Sequence, residues 1–118
     1  MFLLPWLIAL ALFVLDEWLM TKLVRREYLE HRVLWEEDGK PRPMFWTPPE
    51  TVLGGWYVTY ASGRAFRMLL WRWLFATPGW LRQDDSYRSL LLLHRILVPM
   101  AALCVIAPFL IAALTQRW

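Results

Sequence analysis

The residues from Ile96 to Leu114 read ILVPMAALCVIAPFLIAAL, a run of nineteen residues without a charged side chain. As an α-helix with a rise of about 1.5 Å per residue, this run reaches roughly 28 Å, which is close to the hydrocarbon thickness of a bilayer. A chain of 118 residues has too small a core to bury a helix that is apolar on every side. The run therefore predicts a transmembrane helix.

The composition agrees with a small integral membrane protein. Hydrophobic residues make up 58% of the chain, charged residues make up 19%, and the formal net charge is +3. The low charge content argues against disorder, and a modest positive excess in a membrane protein is typical of orientation and lipid contact rather than nucleic-acid binding. The single cysteine, Cys104, has no partner in the chain for an internal disulfide.

A second apolar segment lies at the N-terminus, where the sequence is uninterrupted from Phe2 to Leu15 and continues to Met20 beyond Asp16 and Glu17. Counted to about Met20, it is long enough to cross a bilayer. A cleaved signal peptide is the alternative, but no basic residue precedes the apolar core. We predict a retained transmembrane helix over residues 1–21.

The basic residues predict the orientation of the two spans. Twelve of the thirteen Lys and Arg residues lie between Lys22 and Arg95. By the positive-inside rule, the middle of the chain is then cytoplasmic and both termini lie on the opposite side. The predicted fold class is an all-α membrane protein, a hairpin of two transmembrane helices with a cytoplasmic helical stalk and an interfacial aromatic helix between them.

Helix start and stop signals divide the rest of the chain. Residues 22–46 are predicted to form the stalk helix, to about Trp35, and a Pro-rich linker, because Pro41 and Pro43 bias the preceding residues away from helix. Residues 84–118 are predicted to form one C-terminal helix that Asp84 or Asp85 caps and that contains the second span.

Residues 47–83 are predicted to hold an amphipathic helix over about 52–76, with Thr47 as its N-cap, followed by a turn. Arginines in its middle would cost several kcal/mol at bilayer depth, so we place it in the cytoplasmic headgroup layer, with burial against other subunits as the alternative. The residues expected to contact lipid or a partner are Trp56, Tyr57, Tyr60, Arg64, Arg67, Trp71, Arg72 and Trp73.

Four ionisable residues occupy the predicted cytoplasmic ends of the spans. Asp16 and Glu17 follow the first apolar run, and His94 and Arg95 precede the second. We predict that Asp16 or Glu17 pairs with His94 or Arg95 as a structural ion pair, which lowers the cost of placing these groups near hydrocarbon. The functional alternative is a proton-relay or quinone-edge site. His94 is also a candidate ligand for haem or chlorophyll, but one histidine identifies no cofactor, and we predict none.

Three short motifs accompany the order of helices: Trp56-Tyr57-x-x-Tyr60-Ala61, Asp84-Asp85 and Ala102-Leu103-Cys104. With them, roughly the C-terminal half of the chain resembles the universal stress protein B family of small bacterial membrane proteins; the segment from Tyr28 to Trp46 does not match. The resemblance implies a multi-pass protein of the bacterial inner membrane and little chemistry.

No complete catalytic motif is present, neither a nucleophile elbow, a phosphate-binding glycine loop, an HExxH helix nor a Cys/His metal spacing. We therefore predict a non-enzymatic accessory or scaffolding subunit of a larger inner-membrane complex, such as a respiratory or photosynthetic one. Its partners would be membrane lipids and other integral membrane subunits, not nucleic acid. The alternatives are a redox or proton-route component using Asp16, Glu17, His94 and Arg95, and a free-standing membrane stress or regulatory protein.

Overall fold

The computed structural model describes residues 3–51 and 55–116, without the side chains of Glu50 and Tyr57, and this part of the chain contains helices and no strand. The elements are α1 (Leu3–Glu30), α2 (Arg32–Glu37), a 3-10 turn (Pro49–Thr51), α3 (Gly55–Phe75), α4 (Gly79–Arg82) and α5 (Asp85–Thr115). The all-α class is confirmed for these residues. Helices α1 and α5 are both long and apolar enough to cross a membrane.

Helices α1 and α5 pack against each other in opposite directions. Near the termini, the rings of Trp6 and Phe109 meet edge to face with centroids 5.7 Å apart, and further along Asp16 meets His94. Only 6% of the most apolar stretch of α5 is buried, so α5 differs from the core helix of a soluble protein. The predicted cap at Asp84 is confirmed, because its side chain accepts a hydrogen bond from the backbone N–H of Tyr87.

The hydrophobic core lies at the end of this hairpin that is remote from both termini. Each of the five helices contributes buried apolar side chains to it. The buried members are Leu19, Met20, Leu23, Val24, Tyr28, Trp35, Phe66, Leu69, Trp73, Trp80, Leu81, Leu91 and Leu97. The protein therefore has a packed end and an end where the apolar side chains are mostly exposed.

The predicted stalk helix is interrupted, since α1 ends at Glu30 and α2 begins at Arg32. His31 between them has φ −134° and ψ 55°, outside the helical region. The interruption turns Trp35 into the core, where its ring meets Tyr28 edge to face at 4.7 Å and its Nε1 donates to the carbonyl of Pro41 at 3.1 Å. The burial of Trp35 is the physical reason that the stalk does not continue as one straight helix.

The Pro-rich linker lies against α3. The backbone N–H of Arg42 donates to the carbonyl of Ser62 at 3.0 Å. Gly39 has φ +92°, and a Cβ placed on it would lie 3.1 Å from the Cβ of Ala65. Glycine is therefore required at this position both by the backbone conformation and by the close approach of α3.

The predicted N-cap of the middle helix is wrong. Thr47 does not begin α3; the residues after it form a separate turn, in which Thr51 Oγ1 donates to the carbonyl of Pro48 at 2.8 Å. Helix α3 starts at Gly55, whose φ of +75° favours glycine. The expected helix start near residue 52 lies outside the described residues.

Candidate functional site

Five ionisable side chains lie where α1, α3 and α5 come together, and we call this group the charged threshold: Asp16, Glu17, Arg67 and His94, which form two pairs, and Arg95, which bonds to the end of α3. Asp16, Glu17 and His94 expose only 6%, 1% and 0% of their surface. Ionisable side chains are rarely buried this far unless they are partnered, because removing a charge from water is costly. The contacts of each member therefore decide what the charged threshold does.

His94 joins all three helices through its two ring nitrogens. Nδ1 lies 2.5 Å from Oδ1 of Asp16 on α1, and Nε2 lies 3.0 Å from the carbonyl oxygen of Leu70 on α3. A carbonyl only accepts, so Nε2 carries a proton. A second proton is held between Nδ1 and Asp16, either on an imidazolium or on a carboxylic acid, and the pair is neutral overall in both arrangements.

Because both ring nitrogens of His94 are engaged, a haem iron or a chlorophyll magnesium would have to displace either Asp16 or the carbonyl of Leu70. The described residues 3–51 and 55–116 also contain no group of three or more His, Cys, Asp or Glu side chains arranged to hold a metal ion. What the arrangement can do chemically is to hold one proton between two buried groups.

Glu17 pairs with Arg67 of α3 rather than with His94 or Arg95. Oε1 of Glu17 accepts from the guanidinium of Arg67, whose side chain is about half exposed. The pairing with a buried carboxylate stabilises Arg67 in this position, and its contact with lipid or a partner stays a prediction for the exposed half of the side chain. No spacing rule connects residues 17 and 67, which are fifty positions apart on different helices, so the sequence offered no signal for this pair.

The second oxygen of Glu17 is different. Oε2 is buried and has no hydrogen-bond partner within the part of the chain that the structure describes. A buried acceptor without a donor costs about 1–3 kcal/mol, and more when it is charged. This oxygen is the least satisfied atom of the charged threshold.

The sequence offered His94 or Arg95 as the partner of Asp16 or Glu17; the structure pairs His94 with Asp16, and Arg95 bonds elsewhere. Its Nε donates to the carbonyl of Trp73 at 3.1 Å, and its Nη2 donates to Oγ1 of Thr77 at 2.9 Å. The Trp73 carbonyl belongs to the last turn of α3, where carbonyls have no partner within the helix and the helix dipole favours a cation. Arg95 therefore anchors the end of α3 to α5, which explains why it does not reach for a carboxylate.

The two faces of α3 differ in surroundings. Ser62, Phe66, Leu69 and Trp73, spaced four, three and four residues apart, are buried against the rest of the protein. Trp73, at 3% exposed, is thus a core residue, and the prediction that it contacts lipid or a partner is wrong. Its place in the core follows from its position on the inner face of the helix.

The opposite face of α3 carries the remaining predicted contact residues. The aromatic and long apolar side chains on this face are exposed: Trp56, Tyr60, Met68, Trp71 and Phe75. Arg64 is exposed on the same side, and Arg72 reaches Asp38 at 3.3 Å with half of its side chain exposed. The side chain of Tyr57 lies outside the described residues. We call this face the aromatic face of α3.

A cavity of about 220 Å³ opens between α1, α3 and α5 beside the charged threshold. Asp16, Glu17 and His94 form its polar wall. Its other lining residues are Phe13, Arg67, Leu70, Trp71, Leu74 and Val98. Because Phe13, Arg67 and Trp71 are exposed, the cavity is open to the surroundings of the protein rather than sealed.

A second buried carboxyl lies on α1 beyond the apolar segment, at Glu27 in the stalk. Trp80 Nε1 donates to its Oε2 at 3.0 Å. Burial and the neighbouring carboxyl of Asp38 raise the pKa of Glu27 to about 8, although the Trp80 hydrogen bond and the charge of Arg72 act in the opposite direction. Sequence reasoning missed Glu27, although its spacing of four and three residues from Leu23 and Val24 places it on the same buried face of α1.

No family model, no curated protein and no solved structure matches this chain. The resemblance to the universal stress protein B family therefore stays a prediction. What the protein does has to be inferred from its geometry.

Proposed function

We propose that this protein is a non-catalytic accessory or scaffolding subunit of a larger complex in the bacterial inner membrane, and that it acts by helix packing and interfacial anchoring. The exposure of α5 carries the proposal: Leu103, Phe109 and Leu110 expose 64%, 63% and 57% of their surface. Side chains of this kind need either lipid or the helices of another subunit around them, since exposed apolar surface of this extent is unfavourable in water.

The packed end supports the anchoring part of the proposal. Helix α3 is joined to the two spans through Arg67, through His94 and through Arg95, so its inner face is held in place. Its aromatic face then presents Trp and Tyr rings together with arginines, a combination that suits the boundary between headgroups and hydrocarbon. The charged threshold would lie at that boundary and set the depth of the two spans.

The proposal includes an orientation with both termini on the non-cytoplasmic side, which the distribution of basic residues favours. Single cysteines at Lys40 and Gln116, each in a Cys104→Ala chain, test this orientation. A membrane-impermeant maleimide added to spheroplasts should label the cysteine at position 116 and not the one at position 40. Labelling of position 40 alone would reverse the orientation.

Photo-crosslinking in native membranes tests the subunit role. A photoreactive phenylalanine at Leu103, which is exposed, should give adducts with one protein in fixed proportion, and that protein should remain bound in mild detergent. The same probe at Leu97, which is 7% exposed on the same helix, is the matched control and should give none. Purification as a lone monomer, with no adduct from Leu103, would contradict the proposal and favour a free-standing membrane stress or regulatory protein.

A second candidate is a component of a proton or redox route, and the contact between Asp16 and His94 favours it. Two buried groups 2.5 Å apart that hold one proton between them are suited to passing that proton on. Asp16→Asn keeps a similar shape and removes the carboxyl, so it should abolish any proton movement that the protein supports across the membrane of proteoliposomes. A visible absorbance spectrum tests the redox version, which requires a bound pigment or haem.

A further inference from the structure

The unpartnered Oε2 of Glu17 and the cavity that Glu17 lines point to a ligand site that neither packing nor proton transfer requires. The side chain of Glu17 is 1% exposed and lines the cavity of about 220 Å³, yet its Oε2 has no donor among the described residues. We propose that this cavity binds the polar head of a neutral, membrane-soluble amphiphile, which donates a hydroxyl hydrogen bond to Oε2 of Glu17.

The ligand is neutral because the charges around the cavity are already balanced. Glu17 is paired with Arg67, and Asp16 with His94 holds one proton in a pair of zero net charge. A charged head would therefore bring an uncompensated charge into a largely apolar site, which is costly. A hydroxyl group adds the missing donor without adding a charge.

The shape of the cavity restricts the ligand to a small head with an apolar tail. Phe13, Leu74 and Val98 belong to its apolar lining, and Phe13 and Trp71 are exposed at its opening. The volume of about 220 Å³ is below the roughly 300 Å³ at which pockets for drug-sized ligands begin. A single ring or a glycerol group fits this description, while the tail remains in the hydrocarbon next to α1 and α5.

Two kinds of membrane molecule carry such a head, a quinol and a diacylglycerol. They share a hydroxyl donor on a neutral head, which is the chemistry that the site selects. A quinone has the same ring as a quinol but only accepts hydrogen bonds, so it cannot satisfy Oε2. An ordered water is the occupant that would make the site purely structural, because a water molecule can also donate to a buried acceptor.

Native mass spectrometry of the full-length protein in detergent tests the site, with decylubiquinol, decylubiquinone and dioctanoylglycerol as probes. At least one hydroxyl-bearing probe should bind one molecule per chain, and decylubiquinol or dioctanoylglycerol should bind about tenfold or more tightly than decylubiquinone, the size of a lost hydrogen bond to a charged group. Binding of decylubiquinol alone would identify a quinol site, and binding of dioctanoylglycerol alone would identify a lipid alcohol.

Glu17→Gln should weaken the binding of the hydroxyl-bearing probe by about tenfold, since it removes the charged acceptor. Val98→Phe fills the cavity from α5 and should abolish binding even if Glu17→Gln folds poorly. Val105→Phe, two turns further along α5 and lining a different groove, is the matched control and should bind as the unmodified chain does. Three results would overturn the proposal. Val98→Phe could bind the probes as well as the unmodified chain does, quinol and quinone could bind equally, or neither hydroxyl-bearing probe could bind.

The outcome is independent of the packing role, because binding of a small amphiphile is measured without any partner protein. A ligand at Glu17 would also give the proton-route candidate a molecule to act on, since Asp16 and His94 line the same cavity.

Discussion

The two ends of the α1–α5 hairpin are built from different kinds of contact. At the end that carries the termini, apolar side chains are mostly exposed, and the ring pair Trp6–Phe109 joins the two helices. At the other end, the charged threshold joins α1, α3 and α5 through hydrogen bonds between particular atoms. Apolar contacts tolerate sliding, whereas these hydrogen bonds allow one arrangement. The comparison indicates that the apolar end supplies the helix length and apolar surface that a membrane span needs, and that the charged threshold decides which helices meet.

Substitutions in the buried Asp16–His94 pair of the charged threshold should have the largest effect and test this difference most directly. His94→Leu leaves Asp16 buried without its partner and should lower the free energy of unfolding by about 3–5 kcal/mol. The double variant Asp16→Leu/His94→Leu should recover most of that loss, because neither polar group is then left unpaired. Unfolding of the purified protein in mixed detergent micelles measures both. If His94→Leu were as stable as the unmodified chain, the hydrogen-bonded end would not determine the helix arrangement more strongly than the apolar end does.

Arg95 should show the next largest effect. Arg95→Met removes two hydrogen bonds from the C-terminal end of α3, with an expected loss of about 2 kcal/mol in the free energy of unfolding. Arg88→Met, which breaks an exposed ion pair with Asp85 on the same helix, is the matched control and should change stability by less than about 0.5 kcal/mol. Equal losses for the two variants would mean that Arg95 does not anchor α3.

Glu27 should make stability depend on pH. Its pKa in the folded protein, about 8, is above the ordinary value of 4.5, so the folded state holds a proton that the unfolded state releases between these two pH values. Stability should therefore fall as pH rises from about 4.5 to about 8, by at most about 1.4 kcal/mol per pH unit. Glu27→Gln should flatten this part of the profile of stability against pH. Glu30 is exposed and paired with Arg26, so the control variant Glu30→Gln should leave the profile unchanged.

The smallest effect is expected at the apolar end. Phe109→Leu removes the edge-to-face contact with Trp6 and should cost about 1 kcal/mol or less in the same unfolding measurement, since an aromatic pair contributes about that amount beyond its buried area. Leu110→Ala, at an exposed neighbouring position, is the control for loss of apolar volume. A loss at Phe109 as large as that at His94 would show that the apolar end also determines the arrangement of the helices.

Much of the fold followed from local sequence signals. The length of apolar sequence indicated both helices that are long and apolar enough to span a membrane. Asp84 indicated the start of α5, because a side-chain oxygen satisfies the first free N–H groups of a helix. The start of α3 was misplaced at Thr47, and the stalk was predicted without its interruption at His31. At His31 the chain turns so that Trp35 joins a core shared with residues of α3, α4 and α5, and no local pattern reports such contacts.

The sequence by itself determined that two helices of this chain can cross a membrane, because helix length and hydrophobicity are properties of consecutive residues. It also indicated that Asp16, Glu17, His94 and Arg95 lie at similar depth, since that depends only on their distance from the apolar runs. The tertiary structure alone decided that Asp16 meets His94, that Glu17 meets Arg67 and that Arg95 holds the end of α3. The choice among several oppositely charged or polar partners at one depth depends on how α3 packs between the two long helices, and that packing involves residues far apart in the chain.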